Sequence, residues 1–345
     1  MSETKNKLVI VTGAGGYIGT SLVPFLLSKG YKVRAIDRYF FGEKLLDSHK
    51  NLEIIKDDIR NLDNTHFENG FAIIDLAAIS NDPSGEKYAK ETFEINHLAR
   101  FNNAKLAKAN GLKRYIIPSS CSNYGKINDD KIADETFKTN PLANYSAANI
   151  KAENDILPLA DDKFCAIVLR QGTVYGISPK MRFDLAINGM TYGAWKSGVL
   201  PLMRPGTQRR PFLHIKDVLR VMYFMLNTDP KMVSGQIFNA GGHKNNYSIK
   251  DLSEIFKNKF NDKLKIEWYG SDDDRSYFVN FDKIKSIGFV NKFNAEDGID
   301  DLLAKLESGE IDKTDETITL KWYETLEHWQ EKIKSLEIDG KLLKL

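Results

Sequence analysis

Short apolar runs alternate with amphipathic stretches through the first half of the chain. The pattern predicts strands at Leu8–Val11, Lys32–Ile36, Leu52–Lys56, Ala72–Leu76, Arg114–Pro118 and Cys165–Arg170. Several of these runs are continuously apolar, as strands buried on both faces of a parallel sheet are. Between them, Ile18–Lys29 and Thr92–Asn110 carry helical spacing, and Gly111 closes the second as a helix C-cap would. Strand, helix and strand in repetition predict an α/β fold with a doubly wound parallel sheet. Beyond Gly172 glycine and proline become denser. A helical run at Lys216–Leu226, an apolar strand at Gln236–Asn239 and helical spacing at Leu302–Leu306 and Leu320–Ile333 follow. The second half reads as a smaller lobe, with some of its chain returning to the first. No internal repeat or low-complexity segment interrupts the pattern.

A chain of 345 residues is long enough for two domains. At 42% hydrophobic and 28% charged residues, wholesale disorder is excluded. Forty-nine Lys and Arg against 47 Asp and Glu leave a net charge of +2. That balance carries no footprint for nucleic acid or an anionic membrane. No run approaches the roughly 20 apolar residues of a membrane helix, and the apolar stretch near the N-terminus is too short for a signal peptide. Two cysteines, Cys121 and Cys165, make no disulfide framework. A soluble, cytoplasmic protein is the expectation. The six histidines are scattered without metal-ligand spacing, so no metal is expected.

Candidate chemistry starts where the first strand ends. In Thr12-Gly13-Ala14-Gly15-Gly16-Tyr17-Ile18-Gly19, three glycines recur at three-residue intervals across a strand-to-helix turn. Glycine there lets the backbone approach a pyrophosphate while the new helix aims its N-terminal amides at the anion. Asp37 closes the second strand, eighteen residues beyond Gly19 (37 − 19), near the offset at which a carboxylate takes the adenosine ribose hydroxyls. A carboxylate also repels a 2′-phosphate, which favours NAD over NADP, although the neighbouring Arg38 leaves room for the latter.

From Leu8 to about Phe289 the chain resembles the extended short-chain dehydrogenase/reductase family, in its nucleotide-sugar epimerase and dehydratase branch. The resemblance rests on several separated motifs: the glycine loop, Asp57-Asp58-Ile59-Arg60, Leu76-Ala77-Ala78, Asn96, Ser119-Ser120-Cys121-Ser122-Asn123-Tyr124-Gly125, Leu169–Gly176, Arg209–Asp217 and Arg275. It implies a Rossmann-type fold with a smaller C-terminal substrate-binding lobe. Residues 1–172 and 211–243 would form the NAD-binding domain; 173–210 and 244–345 would form the nucleotide-sugar-binding lobe. It also implies cofactor contacts at Gly13, Gly16, Tyr17, Ile18, Gly19, Asp37, Asp58, Ile59, Leu76, Ala77, Ala78, Asn96, Tyr145 and residue 149. Substrate contacts fall at Ser120, Ser122, Thr173, Arg210 and Arg275, the two arginines suiting a nucleoside diphosphate. Helices 92–110 and 144–159 match the surfaces through which family members pair, so a homodimer is expected.

In that family a serine holds the sugar oxygen being oxidised, a tyrosine takes its proton, and a lysine four residues on supports the tyrosine. Ser120 and Tyr145 fill the first two places, but the lysine position is Asn149. A tyrosine titrates near pH ~10, so without a nearby cation only about one part in a thousand is ionised at neutrality. Lys151, two residues further, is turned roughly 200° round the helix. Three readings follow: slower chemistry with Asn149 holding the ribose, a variant that binds without efficient turnover, or a substitution introduced into a natural chain. Dehydratases of the branch carry an acidic pair directly after the serine. Here Cys121 and Ser122 stand there. The expected function is an NAD-dependent nucleotide-diphospho-sugar epimerase working by oxidation and reduction at C4. The alternatives are a C4 dehydrogenase or keto-reductase, or a catalytically weak nucleotide-sugar-binding protein. His214 is expected to cap a helix, and Cys121 to be buried and inert.

Overall fold

The structure, a computed structural model, describes residues 7–128, 131–271, 273–338 and 340–341. Seven parallel strands form the central sheet: β1 (Leu8–Thr12), β2 (Lys32–Asp37), β3 (Leu52–Lys56), β4 (Gly70–Asp75), β5 (Arg114–Ser120), β6 (Cys165–Gln171) and β7 (Gln236–Ala240). Their order is β7-β6-β5-β4-β1-β2-β3, every neighbouring pair parallel. All seven strands expected from the apolar pattern are present. Val9–Val11, Ile73, Ile74 and Ala166–Leu169 are wholly buried, because helices cover both faces. The edge strand β3 is the exception, with Glu53, Ile54 and Lys56 exposed.

The order reverses between β1 and β4. Connections running outward from each leave a crevice at the carboxyl ends of these two strands, the position where open α/β sheets bind ligands. The glycine loop leaves β1 at this crevice and enters the helix Gly19–Ser28. The helix expected over 92–110 runs from Ala89 to Ala109, but its middle, Glu94–Ala99, is a π-helical turn. Helical spacing did not signal that widening.

The lobe has its own core, from Tyr175, Phe183, Ile187, Phe212, Leu252, Phe256 and Leu302. It is built on a three-stranded sheet of Thr173–Tyr175, Arg209–His214 and Asn246–Ser248, and a pair of Val199–Met203 with Lys265–Tyr269. Two placements bear on the division between the two domains. The strand Arg209–His214 runs in the lobe's sheet before the helix Ile215–Asn227 and β7 rejoin the first domain. The last helix, Thr319–Leu336, returns to it as well: the Trp322 indole donates to the Phe40 carbonyl at 2.8 Å, and Lys87 pairs with Glu324. Within the described residues, no helix is long and apolar enough to cross a membrane.

Candidate active site

A cavity of about 980 Å³ runs along the crevice between sheet and lobe. At one end stands the glycine loop. Gly13 has φ +63°, and a Cβ there would stand 2.6 Å from the Ala77 amide nitrogen, so only glycine lets β1 and β4 close on each other. A Cβ on Gly19 would lie 2.2 Å from the Gly13 carbonyl oxygen. Asp37 lines the same end, accepting from the Gly15 amide at 3.0 Å and the Tyr39 amide at 2.7 Å. Burial pushes its carboxyl above the usual range, against the pull of those two amides. Asp58 also lines the cavity and pairs with Arg60 at 2.7 Å and Arg38 at 3.1 Å. Arg38, the residue that left room for NADP, is thus already engaged by a carboxylate.

β5 ends in Ser120, and the helix Asn144–Ile156 presents Tyr145 to the same cavity. The Ser120 hydroxyl accepts from the Ser122 amide at 3.0 Å and lies 2.8 Å from the Ser122 hydroxyl. Behind this turn is a buried network: Ser119 donates to Glu153 at 2.5 Å, and Glu153 pairs with Arg170 at 2.6 Å. A buried pair of this kind fixes geometry more than it adds stability. Cys121 is buried and donates to the Arg170 carbonyl. Burial pushes its thiol far up, so it is no nucleophile.

At the lobe end, Thr173, Arg210 and Arg275 line the cavity. Asp273 holds both arginines, Arg210 at 2.8 Å and Arg275 at 2.8 Å through each of two nitrogens. Arg275 also pairs with Asp82, which opens the short helix Asp82–Lys87 that follows β4. A charge bridge therefore crosses the cleft from sheet to lobe.

Two residues of the expected set stand back from the cavity wall. Asn96 is fully buried and clasps the loop after β4, its amide exchanging two 2.9 Å bonds with the Ile79 backbone. Asn149 is buried behind Tyr145. Tyr17 lines the cavity, but its hydroxyl is committed to the Gly176 carbonyl at 2.6 Å, tying loop to lobe. His214 accepts from the Lys216 amide as the cap of its helix, and burial lowers its ring to about 4, so it is neutral at pH 7. No metal-binding cluster exists among the described residues.

Three polar residues have no signature in the sequence. Lys180 and Arg182, from the segment after Gly176, line the cavity beside the glycine loop. Burial first, and Arg182 second, lower the Lys180 amine to about 7. The third, Arg100, is buried, with its guanidinium donating to the Asn149 Oδ1 and to carbonyls at the ends of β4 and β5. None sits in a recognisable spacing; the fold alone gathers them.

Residues 9–241, more than half of the chain, match the model of the NAD dependent epimerase/dehydratase family. The chain belongs to that family. Among curated relatives, a trifunctional UDP-glucose 4,6-dehydratase/UDP-4-keto-6-deoxy-D-glucose 3,5-epimerase/UDP-4-keto-L-rhamnose-reductase of Arabidopsis thaliana is 24% identical over 313 residues, 86% of this chain and 46% of the relative. The chain thus spans about half the length of that relative. A UDP-glucuronate 4-epimerase of Thermodesulfobacterium geofontis is 26% identical over 75% of this chain and 82% of its own length. Among solved structures, the UDP-glucuronic acid 4-epimerase of Bacillus cereus, in complex with UDP-glucuronic acid and NAD, superposes with TM-score 0.77 at 22% identity. That match covers 87% of this chain and 99% of the other. A UDP-glucose 4-epimerase of Thermotoga maritima gives TM-score 0.78 at 18% identity, over 88% and 100%. These likenesses establish the fold.

Proposed function

We propose that the protein is an NAD-dependent epimerase of a nucleotide-diphospho-sugar, acting by oxidation and re-reduction at C4. The observation that carries this reading is the shared cavity: glycine loop and Asp37 at one end, Ser120 with Tyr145 at the centre, Arg210 and Arg275 at the other. The residues fit NAD. Gly16 lines the cavity, and only the Gly13 carbonyl, at 3.2 Å, stands near where its Cβ would be. The Asp37 carboxylate accepts backbone amides, Gly15 on one oxygen and Tyr39 on the other, and its two oxygens have further lone pairs for ribose hydroxyls. Lys180 and Arg182 supply cations beside the loop for phosphates.

When bound, NAD supplies the hydride acceptor and donor. The chain's own part is proton handling and positioning. Ser120 holds the C4 oxygen, and Tyr145 takes the hydroxyl proton as the C4–H bond breaks. Tyr145 then returns the proton to the same oxygen after the ketone has turned its other face. Arg210 and Arg275 grip the diphosphate and leave the sugar free to turn. A hydrophobic thiol and a serine follow Ser120 where elimination of water would need an acid and a base, which disfavours dehydration. The same reading makes the molecule a cytoplasmic homodimer, paired through 92–110 and 144–159, where Leu98 is exposed.

Incubation with UDP-, GDP-, dTDP- and CDP-sugars, with products read by NMR, tests the assignment. A C4 epimer with no net change in NADH is expected. A 4-keto-6-deoxy product would replace it with a dehydratase, and stoichiometric NADH with a C4 dehydrogenase.

A further inference from the structure

The missing lysine at 149 has a structural counterpart. Arg100 follows directly on the π-helical turn Glu94–Ala99 and is among the largest fully buried side chains, at 2% exposure. A π turn takes one residue more per hydrogen bond than an α turn and so shifts the face that later residues present. Its guanidinium donates to the carbonyls of Ala77 at 3.2 Å, Pro118 at 3.4 Å and Asp75 at 3.4 Å. Its remaining bond goes to Asn149 Oδ1, at 3.2 Å. No carboxylate among the described residues forms an ion pair with it. The Asp75 carboxylate nearby is committed to the hydroxyls of Thr12 and Tyr115. Arg100 is a buried cation whose direct hydrogen bonds all go to neutral carbonyl and amide oxygens, a costly arrangement that calls for a purpose.

Asn149 shows where that charge is directed. Its oxygen faces the guanidinium, so its nitrogen faces away, and Nδ2 is buried without a partner. Leaving such a donor unpaired is unfavourable. Asn149 lies four residues after Tyr145 on one helix, hence on the same face.

We propose that Arg100, acting through Asn149, replaces the lysine of the tyrosine helix: the arginine supplies the cation, and the Asn149 amide links it to the helix that carries Tyr145. Arg100 is a positioning residue in this unit. The inference rests on the functional reading above. It has a corollary for a variant that places lysine at 149. With Arg100 in place, a lysine at 149 sets two cations against each other, so Asn149→Lys does not restore a missing function but damages an existing one.

The test is a swap, read in kcat, in KM and in NAD affinity measured by calorimetry. Asn149→Lys alone should lower kcat about 10-fold or more, with KM for the sugar nucleotide within about 3-fold. Arg100→Thr alone should lower kcat similarly, while Arg100→Lys, which keeps the charge, should retain more of it. The double variant Arg100→Thr/Asn149→Lys should exceed both singles. Asn149→Leu, which breaks the link to Arg100, should weaken NAD binding about 10-fold. If Arg100→Thr does not fold, Asn149→Lys and Asn149→Leu still decide. Turnover that increases about 10-fold or more in Asn149→Lys, with Arg100 intact, overturns the proposal, as does a double variant no better than the singles. Unaltered NAD affinity in Asn149→Leu removes the linking role. If the parent turns over no sugar nucleotide, the functional reading fails, while the calorimetric comparison still tests the unit.

Discussion

On the sheet side of the cleft, the polar groups behind Ser120 and Tyr145 are buried and bonded inward, whereas on the lobe side Arg210 and Arg275 stand at the cavity wall, held by carboxylates. Glu153, Arg170, Asn96 and Arg100 have settled partners whether or not a ligand is bound. Asp273 and Asp82, by contrast, neutralise the two arginines by ion pairing. A diphosphate entering there exchanges one anion for another. The sheet side is therefore set by folding and should govern kcat and cofactor binding. The lobe side is set by exchangeable charge and should govern KM.

The harshest way to break this comparison is Tyr145→Phe. It removes the one proton carrier on the sheet side and should lower turnover by about 10³-fold or more, leaving NAD affinity within a few-fold by calorimetry. Gly19→Val comes next. A Cβ there would stand 2.2 Å from the Gly13 carbonyl, so the loop must shift. NAD binding should weaken by about 10²-fold or the protein should lose its fold, which thermal unfolding separates. On the lobe side, Arg210→Met should raise KM for the sugar nucleotide about 10-fold with kcat nearly unchanged. If kcat falls instead, the division of labour between the two walls is wrong.

The smallest effect concerns Lys180, whose amine is lowered to about 7 by burial and by Arg182. The unfolded chain keeps that proton until about pH 10.4. Between these values the unfolded state binds more protons, so Lys180 contributes stability that rises with pH above 7, by at most about 1.4 kcal/mol per pH unit. Anion binding runs the other way, because only the charged amine attracts phosphate. NAD affinity should fall a few-fold between pH 6 and 8 in the parent and stay flat in Lys180→Met. A parent profile as flat as the variant's would place Lys180 outside the phosphate site.

Much of this architecture is legible in the sequence, because each feature has a local signature. Buried parallel strands leave continuous apolar runs, as in Ala166–Leu169, and Gly13 and Gly19 leave the spacing of a turn that admits no side chain. Ser120 and Tyr145 are legible by motif, and the fold sets them on one wall. What stays hidden is whatever depends on register across elements. The π turn before Arg100 changes neither composition nor apolar spacing, yet it determines what lies behind Asn149. Lys180 reads as one more charged residue until the fold buries it at the glycine loop. Asp273 is invisible as a partner of Arg210, because 63 residues separate them.

One labelling experiment meets the functional claim head-on. UDP-glucose and UDP-glucuronic acid carrying deuterium at C4 are incubated with the purified protein, and the position of the label is followed by NMR and mass spectrometry. Oxidation and re-reduction within a closed cleft returns the hydride to the carbon it left. The expected result is a C4 epimer of one of these sugars that keeps its deuterium at C4, with none in solvent. Deuterium accumulating in free NADH, or a product lacking the elements of water, would contradict C4 epimerisation.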